Sequence, residues 1–231
     1  MNIKQVLGIN HKVYLLPILN DNYVFIIVNN KRNCLIVDPG EQSPVLEFLK
    51  VNQLVPSAIL ITHHHFDHIG GLNGLMSIYN VDVIDNKNTH DLGLINELGF
   101  DFKVFHSPGH TQDHISFYEQ EEKWLFSGDV LFGLGCGRIF DGSFEQLFSS
   151  LGDIKKLDDQ TKVFCTHEYT ARNLLFCQEQ SLINDLEANQ YKKKEIPTVP
   201  LSLKEEKLVN PFLKSETITE FKALRELRNK Y

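Results

Sequence analysis

The 231-residue chain lacks several features that would assign a protein to a class at once. No apolar run approaches the roughly 20 residues of a membrane helix, and the first residues contain no uninterrupted apolar segment typical of a signal peptide. The four cysteines are scattered singly, with no CxxC pair and no disulfide framework. Lys and Arg number 23 against 30 Asp and Glu, which leaves a net charge of −7. We therefore expect a cytoplasmic protein without a membrane span, and a surface unsuited to nucleic acid or anionic lipid.

Strand and helix patterns alternate through the first two-thirds of the chain. The predicted strands are short apolar runs bounded by turn residues. They lie at Val13–Pro17, Tyr23–Val28, Cys34–Val37, Ala58–Ile61, Val81–Asp85, Phe102–Phe105, Ile115–Tyr118, Trp124–Phe126 and Val163–Cys165. The predicted helices lie at Ser43–Val51, Leu72–Tyr79 and Phe144–Leu157. Strands and helices mixed in this order predict a layered α/β domain.

The pattern changes after His167, where apolar residues recur at helical spacing and no strand pattern follows. Near the C-terminus, one apolar stripe runs along a predicted helix, and we expect it to pack on the main domain. Its members are Ile218, Phe221, Leu224, Leu227 and Tyr231. The chain is therefore predicted to divide into a main domain, residues 1–168, and a small helical region, residues 169–231.

Ten histidines stand out in the composition, and eight of them lie in the second quarter of the chain. The segment Thr62–His68 directly follows a predicted strand and reads THHHFDH. Because side chains alternate along an extended chain, His63 and His65 point to one side and His64 to the other. Burying so many polar side chains without a metal would leave several of them needing partners. The predicted metal ligands of this motif are His63, His65, Asp67 and His68, and His64 is expected to be structural.

Three further donors each follow an apolar run: His110 in a PGHT turn, Asp129 in a GD pair, and His167 after the last predicted strand. Each is a weak signal alone, but strand ends meet at one edge of a layered domain, where such donors would form a site. His106 and His114 are expected to support the ligands rather than to bind metal themselves.

Seven donors are more than one four-coordinate ion can bind. If the Asp129 carboxylate is shared, each of two ions has four ligands. Metal 1 would take His63, His65, His110 and Asp129. Metal 2 would take Asp67, His68, His167 and Asp129. Imidazole and carboxylate without thiolate suit zinc, with iron or manganese as alternatives. Two such ions lower the pKa of a bound water, and the resulting hydroxide, held between Asp67 and Asp129, is the expected nucleophile.

These segments resemble the metallo-β-lactamase superfamily, and within it the glyoxalase II, or hydroxyacylglutathione hydrolase, family. The superfamily motifs are THHHFDH, PGHT, GD and the later His167. The segments that narrow the match are Pro17–Tyr23, Val37–Gly40, Gly135–Gly142, His167–Thr170 and Asn210–Leu213. The resemblance covers nearly the whole chain and implies an αββα sandwich with a dinuclear site at one edge and a small C-terminal helical region.

The resemblance also implies the reaction and the substrate. The main domain would be catalytic, and residues 169–231 would help to bind S-(2-hydroxyacyl)glutathione, typically S-D-lactoylglutathione, which is cleaved to D-lactate and glutathione as the second step of methylglyoxal detoxification. A thiolate leaving group departs at neutral pH without a strong general acid, which suits this chain. The residues that would contact substrate by position are Arg138, Phe140, Tyr169, Arg225 and Arg228. Phe140 departs from a tyrosine found in some family members.

Two other functions stay open at this point. One is another enzyme of the superfamily: an iron persulfide dioxygenase that also handles glutathione adducts or, with less support, a β-lactamase or an RNA-processing nuclease. The other is a non-catalytic metal-binding module, against which the full donor set argues because a scaffold has little need of an open dinuclear site. We expect a monomer, with a small-molecule glutathione thioester as its partner.

Overall fold

The computed structural model of the chain describes residues 3–89, 95–96 and 99–231. Two compact units make up the backbone. The first takes the residues up to 105 together with 115–128, and the second takes 106–114 together with 129–231. None of the helices in the described part of the chain combines the length and the apolar character that crossing a bilayer requires.

The first unit contains a six-stranded sheet whose strands lie side by side in chain order. They are β1 (Lys4–Leu7), β2 (Lys12–Ile18), β3 (Asn22–Val28), β4 (Asn33–Val37), β5 (Val55–Leu60) and β6 (Asp82–Ile84). All seven residues of β3 are buried, as its continuous apolar sequence predicts for a strand covered on both faces. Ile26, Ile36 and Ile59 of neighbouring strands lie in one core cluster that holds the sheet in register.

Two strand ends of this sheet place the functional segments of the first unit. Strand β4 pairs with β5 in parallel, so both strands finish at the same edge of the sheet. Asp38 follows β4, and Thr62–His65 follow β5 before a short helix. The helices of this unit are α1 (Gln42–Asn52), α2 (Phe66–Ile69) and α3 (Leu72–Met76), and strands β7 (Phe102–His106), β8 (Ile115–Glu119) and β9 (Trp124–Gly128) lie side by side.

The second unit is mostly helical among its described residues. Its strands are the hairpin β10 (Leu131–Phe132) and β11 (Gly135–Cys136) and the antiparallel pair β12 (Lys162–Cys165) and β13 (Leu201–Ser202). Its helices are α4 (Phe144–Lys155), α5 (Thr170–Glu179), α6 (Asp185–Lys192), α7 (Leu203–Val209), α8 (Pro211–Lys214) and α9 (Ile218–Lys230). Helices α4 and α9 both begin with a reciprocal capping box, formed by Ser143 with Gln146 and by Thr217 with Glu220.

One prediction about the C-terminal region is wrong, and another is confirmed only in part. A strand does follow His167, because the short β13 pairs with β12. Phe221 of the predicted apolar stripe on α9 is buried as expected, but Leu227 is 39% exposed and the buried face includes Arg225. An arginine can occupy a packed face when its guanidinium is hydrogen-bonded, which apolar periodicity does not reveal. The second unit contains α4 and β12 as well as the later helices, and the functional division at residue 168 stays a prediction.

Candidate metal centre

The loop after β5 and the short helix α2 contain the four predicted donors of the first unit: His63 and His65 lie in the loop, and Asp67 and His68 lie in α2. His63 and His68 are buried. His63 Nε2 lies 3.0 Å from His65 Nδ1, and Asp67 Oδ2 lies 3.7 Å from His68 Nε2. The chain turns from the extended conformation at His65 into α2, which brings Asp67 and His68 back beside the strand end. This local geometry matches the expected alternation followed by a turn.

Asp38 organises this loop from the end of the neighbouring strand. Its carboxylate accepts hydrogen bonds from the Thr62 backbone N–H (2.8 Å), the Thr62 hydroxyl (2.7 Å) and His68 Nδ1 (2.9 Å). The Thr62 hydroxyl gives its single proton to Asp38, so it accepts from His63 Nδ1 at 3.2 Å. Both rings therefore carry their proton on Nδ1 and present Nε2 as a ligand nitrogen.

Asp67 is positioned by the loops that surround α2. The side-chain amide of Asn22, at the start of β3, donates to Asp67 Oδ2 at 2.9 Å. Gly40 packs directly on the backbone of Asp67, where a Cβ atom would overlap the Asp67 carbonyl oxygen. A glycine is therefore needed at position 40 for this close approach of two loops.

The second unit gathers the other three predicted donors around one carboxylate. Asp129 Oδ2 lies 3.5 Å from His110 Nε2 and 3.3 Å from His167 Nε2. All three residues are buried. Asp129 follows β9 and His167 follows β12, so strand ends position these donors as the sequence predicts.

Backbone groups orient the donors of the second unit. His110 Nδ1 donates to the carbonyl oxygen of Arg138 at 2.6 Å, which leaves Nε2 to face Asp129. The backbone N–H of Asp129 donates to His114 Nε2 at 3.2 Å, and His114 Nδ1 lies 3.0 Å from the Ser107 hydroxyl. His114 therefore supports a donor through its backbone, in agreement with the supporting role expected for it.

The donor set has the chemistry and the spacing that divalent metal binding requires. Two nitrogen or oxygen ligands of one tetrahedral zinc ion lie about 3.3 Å apart, because the bonds are about 2.0–2.2 Å long. Donor atoms within the first unit lie 3.0 and 3.7 Å apart, and those within the second lie 3.3 and 3.5 Å apart. The His and Asp cluster therefore suits divalent metal ions.

Three of the predicted substrate contacts adjoin donors of the second unit. The exposed Arg138 guanidinium lies 5.7 Å from the ring centre of Phe140, which is itself 60% exposed. The Phe140 ring meets His110 edge-on at 5.1 Å, and Tyr169 stacks on His167 at 4.7 Å. The structure thus places two aromatic rings beside two of the predicted donors, with a cation over one of the rings.

The other two predicted contacts, Arg225 and Arg228, lie on one side of α9 and bind protein groups. Arg225 Nη1 donates to the carbonyl oxygens of Cys136 (3.0 Å) and Gly137 (3.4 Å). Arg228 donates through Nε and Nη2 to Asn173 Oδ1. Burial, together with the charge of Arg225, lowers the pKa of Arg228. Contact of these arginines with glutathione stays a prediction.

None of the four cysteines has the character of a nucleophile. All of them are free thiols and buried. Burial raises the pKa of Cys34 and of Cys177 to about 12, and it also raises the pKa of Cys136 and Cys165. A buried thiol of raised pKa is a poor nucleophile because the thiolate is the reactive form. Covalent cysteine catalysis is therefore not supported in this chain.

Sequence reasoning missed Asp38, Thr62 and Asn22, the residues that orient the ligands of the first unit. Asp38 stands in a DPG segment directly after a strand, and it enters the sequence prediction only as part of the family segment Val37–Gly40. Asp38 is a carboxylate at the end of β4, the neighbour of the strand that precedes THHHFDH. This position was the signal that could have identified it. His64 contacts Asp85 at 3.1 Å and lies outside the donor set, as expected.

Asp38→Asn is expected to weaken metal binding about 10- to 100-fold. The amide can keep its oxygen towards the Thr62 backbone N–H, but its NH2 group then faces His68 Nδ1. The His68 ring is driven to the tautomer with its proton on Nε2, which cannot bind a metal ion. Competition with a chelator measures the change. Asp85→Asn, at the partner of His64, is the matched control and should leave metal affinity within about twofold; equal losses in both variants would contradict the orienting role.

Comparison with known proteins identifies the family. Residues 19–91 and 85–167 match the family model of the metallo-beta-lactamase superfamily, and residues 168–231 match that of the hydroxyacylglutathione hydrolase C-terminus. A hydroxyacylglutathione hydrolase of Bdellovibrio bacteriovorus is 44% identical over 244 residues, covering 94% of this chain and 97% of the relative. The chain belongs to the hydroxyacylglutathione hydrolase family. A relative of the same name from Vibrio campbellii is 42% identical over 248 residues, covering 94% of this chain and 98% of its own.

A solved structure supports the fold class. The crystal structure of the BLEG-1 B3 metallo-beta-lactamase superposes with a TM-score of 0.65 at 26% identity, covering 93% of this chain and all of the other. The predicted fold class, an α/β metallo-β-lactamase fold with a C-terminal helical region, is therefore confirmed. The family resemblance seen in the sequence is confirmed as well.

Proposed function

We propose that this chain hydrolyses S-(2-hydroxyacyl)glutathione thioesters, typically S-D-lactoylglutathione, to a 2-hydroxy acid and glutathione. The observation that carries the proposal is the match to hydroxyacylglutathione hydrolases along both parts of the chain, including residues 168–231. A match confined to the metal motif would be equally compatible with any enzyme of the superfamily. The reaction would be the second step of methylglyoxal detoxification.

Two divalent ions are held by the seven donors in this proposal. One takes His63, His65, His110 and Asp129; the other takes Asp67, His68, His167 and Asp129. The position of Asp129 Oδ2 near both His110 and His167 supports its role as the shared ligand. Zinc fits the imidazole and carboxylate donors, and iron or manganese would fit them too.

The residues of the centre have separate roles in hydrolysis. Bound divalent ions supply a water of lowered pKa and positive charge for the oxyanion of the thioester carbonyl. Asp67, held by Asn22, and Asp129, held through its backbone by His114, orient the attacking water with their carboxylates. Attack at the carbonyl carbon breaks the C–S bond, and glutathione leaves as a thiolate that needs no strong acid.

Substrate recognition in this proposal combines charge with aromatic contact. Glutathione is anionic and this chain carries a net charge of −7, so a local cation must attract the substrate. Arg138 is an exposed cation over the ring of Phe140, and the rings of Phe140 and Tyr169 lie next to His110 and His167. These three residues form the substrate side of the centre.

A metal count combined with a substrate panel tests the proposal. We expect two metal ions per chain by elemental analysis and turnover of S-D-lactoylglutathione that is lost after chelation and restored by adding back a divalent ion. An iron dioxygenase would instead consume oxygen with glutathione persulfide and hold a single iron. Full thioesterase turnover in the metal-free protein, or absence of turnover in the two-metal protein, would contradict the proposal.

A further inference from the structure

The hairpin segment, residues 131–138, is held by side chains of the C-terminal helices rather than by its own short strands. Asn210, at the end of α7, is fully buried and donates its side-chain amide to the carbonyl oxygens of Phe132 and Gly135, both at 3.1 Å. Because the two strands of the hairpin are two residues long each, these bonds add a second set of contacts to a minimal ladder.

Glu206 is the buried carboxylate of this arrangement. Its Oε2 accepts from the backbone N–H of Leu134 at 2.9 Å and from the Asn210 amide at 3.0 Å, and its Oε1 accepts from the Tyr191 hydroxyl at 2.8 Å. Burial raises the pKa of Glu206, while the bonds from Leu134, Tyr191 and Asn210 oppose that rise. Burying a carboxyl group costs free energy unless hydrogen bonds satisfy its oxygens. The burial of Glu206 therefore requires a structural explanation.

Helix α9 and helix α5 hold the rest of the segment. Arg225, 5% exposed, donates to the carbonyl oxygens of Cys136 and Gly137. Asn173 on α5 donates to the carbonyl oxygen of Gly133 at 2.9 Å, and Arg228 fixes Asn173 through its Oδ1. The Cys177 thiol lies 3.6 Å from the carbonyl oxygen of Leu134. Every residue from Phe132 to Gly137 therefore has a backbone group bound by a side chain of the helical region.

The hairpin segment connects two residues of the proposed centre. It begins two residues after Asp129 and ends at Arg138, whose carbonyl oxygen orients His110. Gly137 donates its N–H to Val130 O at 3.1 Å and packs on Asp129, where a Cβ atom would overlap the Asp129 carbonyl oxygen. Any shift of the hairpin segment therefore moves the Arg138 backbone, from which the guanidinium side chain extends.

We propose that Glu206 and Asn210 are positioning residues for substrate binding, which act by fixing the hairpin segment and thereby the place of Arg138. This inference rests on the proposed function.

The first test compares two substitutions at Glu206. Glu206→Ala removes the acceptors and is expected to raise KM for S-D-lactoylglutathione about tenfold, the equivalent of one lost charge-assisted contact, with kcat and metal content nearly unchanged. Glu206→Gln can turn its oxygen to Leu134 and Asn210 and its NH2 group to Tyr191, so KM should stay within about twofold of the parent. Lys207→Ala is the matched control on the same helix, because Lys207 binds Leu157 O and Asp159.

A double-mutant cycle tests whether the effect passes through Arg138. In an Arg138→Ala background, Glu206→Ala should raise KM no further, because the group that it positions is gone. Additive effects of the two substitutions would overturn the proposal.

Asn210→Ala serves as a second variant if Glu206→Ala fails to fold. It removes the amide that donates to the carbonyl oxygens of Phe132 and Gly135, so KM for S-D-lactoylglutathione should rise about tenfold with metal content nearly unchanged. An unchanged KM in folded Asn210→Ala would overturn the proposal.

Hydrogen exchange gives a readout that does not depend on turnover. The amides of residues 131–138, and that of Leu134 above all, should exchange faster in Glu206→Ala than in the parent and in Glu206→Gln. If the parent protein hydrolyses no glutathione thioester, the proposed function fails while this measurement still reports on the hairpin segment. Unchanged exchange in Glu206→Ala would refute the positioning role by itself.

Discussion

Asp129→Ala should lower turnover of S-D-lactoylglutathione about 10³-fold or more and reduce the bound metal from two ions to at most one per chain. Asp129 Oδ2 lies within 3.5 Å of two ligand histidines, His110 and His167, so its loss removes a ligand that both proposed metal positions share. Elemental analysis of the purified variant and steady-state kinetics measure the two effects together.

A matched control separates this effect from the loss of one negative charge. Asp153 is exposed on α4 and pairs with Lys156 at 2.7 Å, outside both donor sets. Asp153→Ala should keep both ions and full turnover, since surface ion pairs contribute little. Two ions in Asp129→Ala would show that Asp129 is not the shared ligand.

Asp67→Ala should lower kcat about 10²- to 10⁴-fold, because the substitution removes a proposed metal ligand and a carboxylate that orients the attacking water. Affinity for a non-hydrolysable S-alkylglutathione should change less than about threefold, because the groups proposed to bind glutathione, Arg138 and Tyr169, are untouched. The result separates an enzyme from a non-catalytic metal-binding module, which would retain its function in this variant. Kinetics and calorimetry provide the two measurements.

Asp82→Ala, at an exposed carboxylate of β6, is the control for this experiment and should behave as the parent protein. A loss of analogue affinity as large as the loss of kcat would mean that Asp67 acts in binding. In that case its proposed role beside the attacking water would be wrong.

The amino-acid sequence alone was sufficient for most elements and for the list of candidate donors. The apolar run of β3 and the strand before His63 are local patterns, and local patterns determine which residues are extended and which side chains share a side. The spacing of the THHHFDH motif is also a local pattern, and it was the basis for predicting four donors. The turn into α2 brings Asp67 and His68 back beside the strand end, where Asn22 and Asp38 from other segments hold them.

The C-terminal helices show where local patterns mislead. Apolar spacing predicted that Phe221, Leu224 and Leu227 would pack on the main domain. Phe221 is buried, but Leu227 is exposed and Arg225, which the apolar pattern excludes, is buried. A guanidinium becomes a buried group only when particular acceptors surround it, here Cys136 O and Gly137 O. Those acceptors lie 89 and 88 residues away in sequence, beyond any helical or strand period.

The sequence by itself thus determined the fold family, most element types and the list of candidate donors, because these follow from periodicity and short motifs. Only the tertiary structure decided which nitrogen each ligand histidine presents: Asp38 orients His68, and the Arg138 carbonyl orients His110. It also decided that a buried carboxylate and an arginine of the helical region hold the hairpin segment. The physical reason is that hydrogen-bond partners are chosen by position in space, which a linear pattern does not encode.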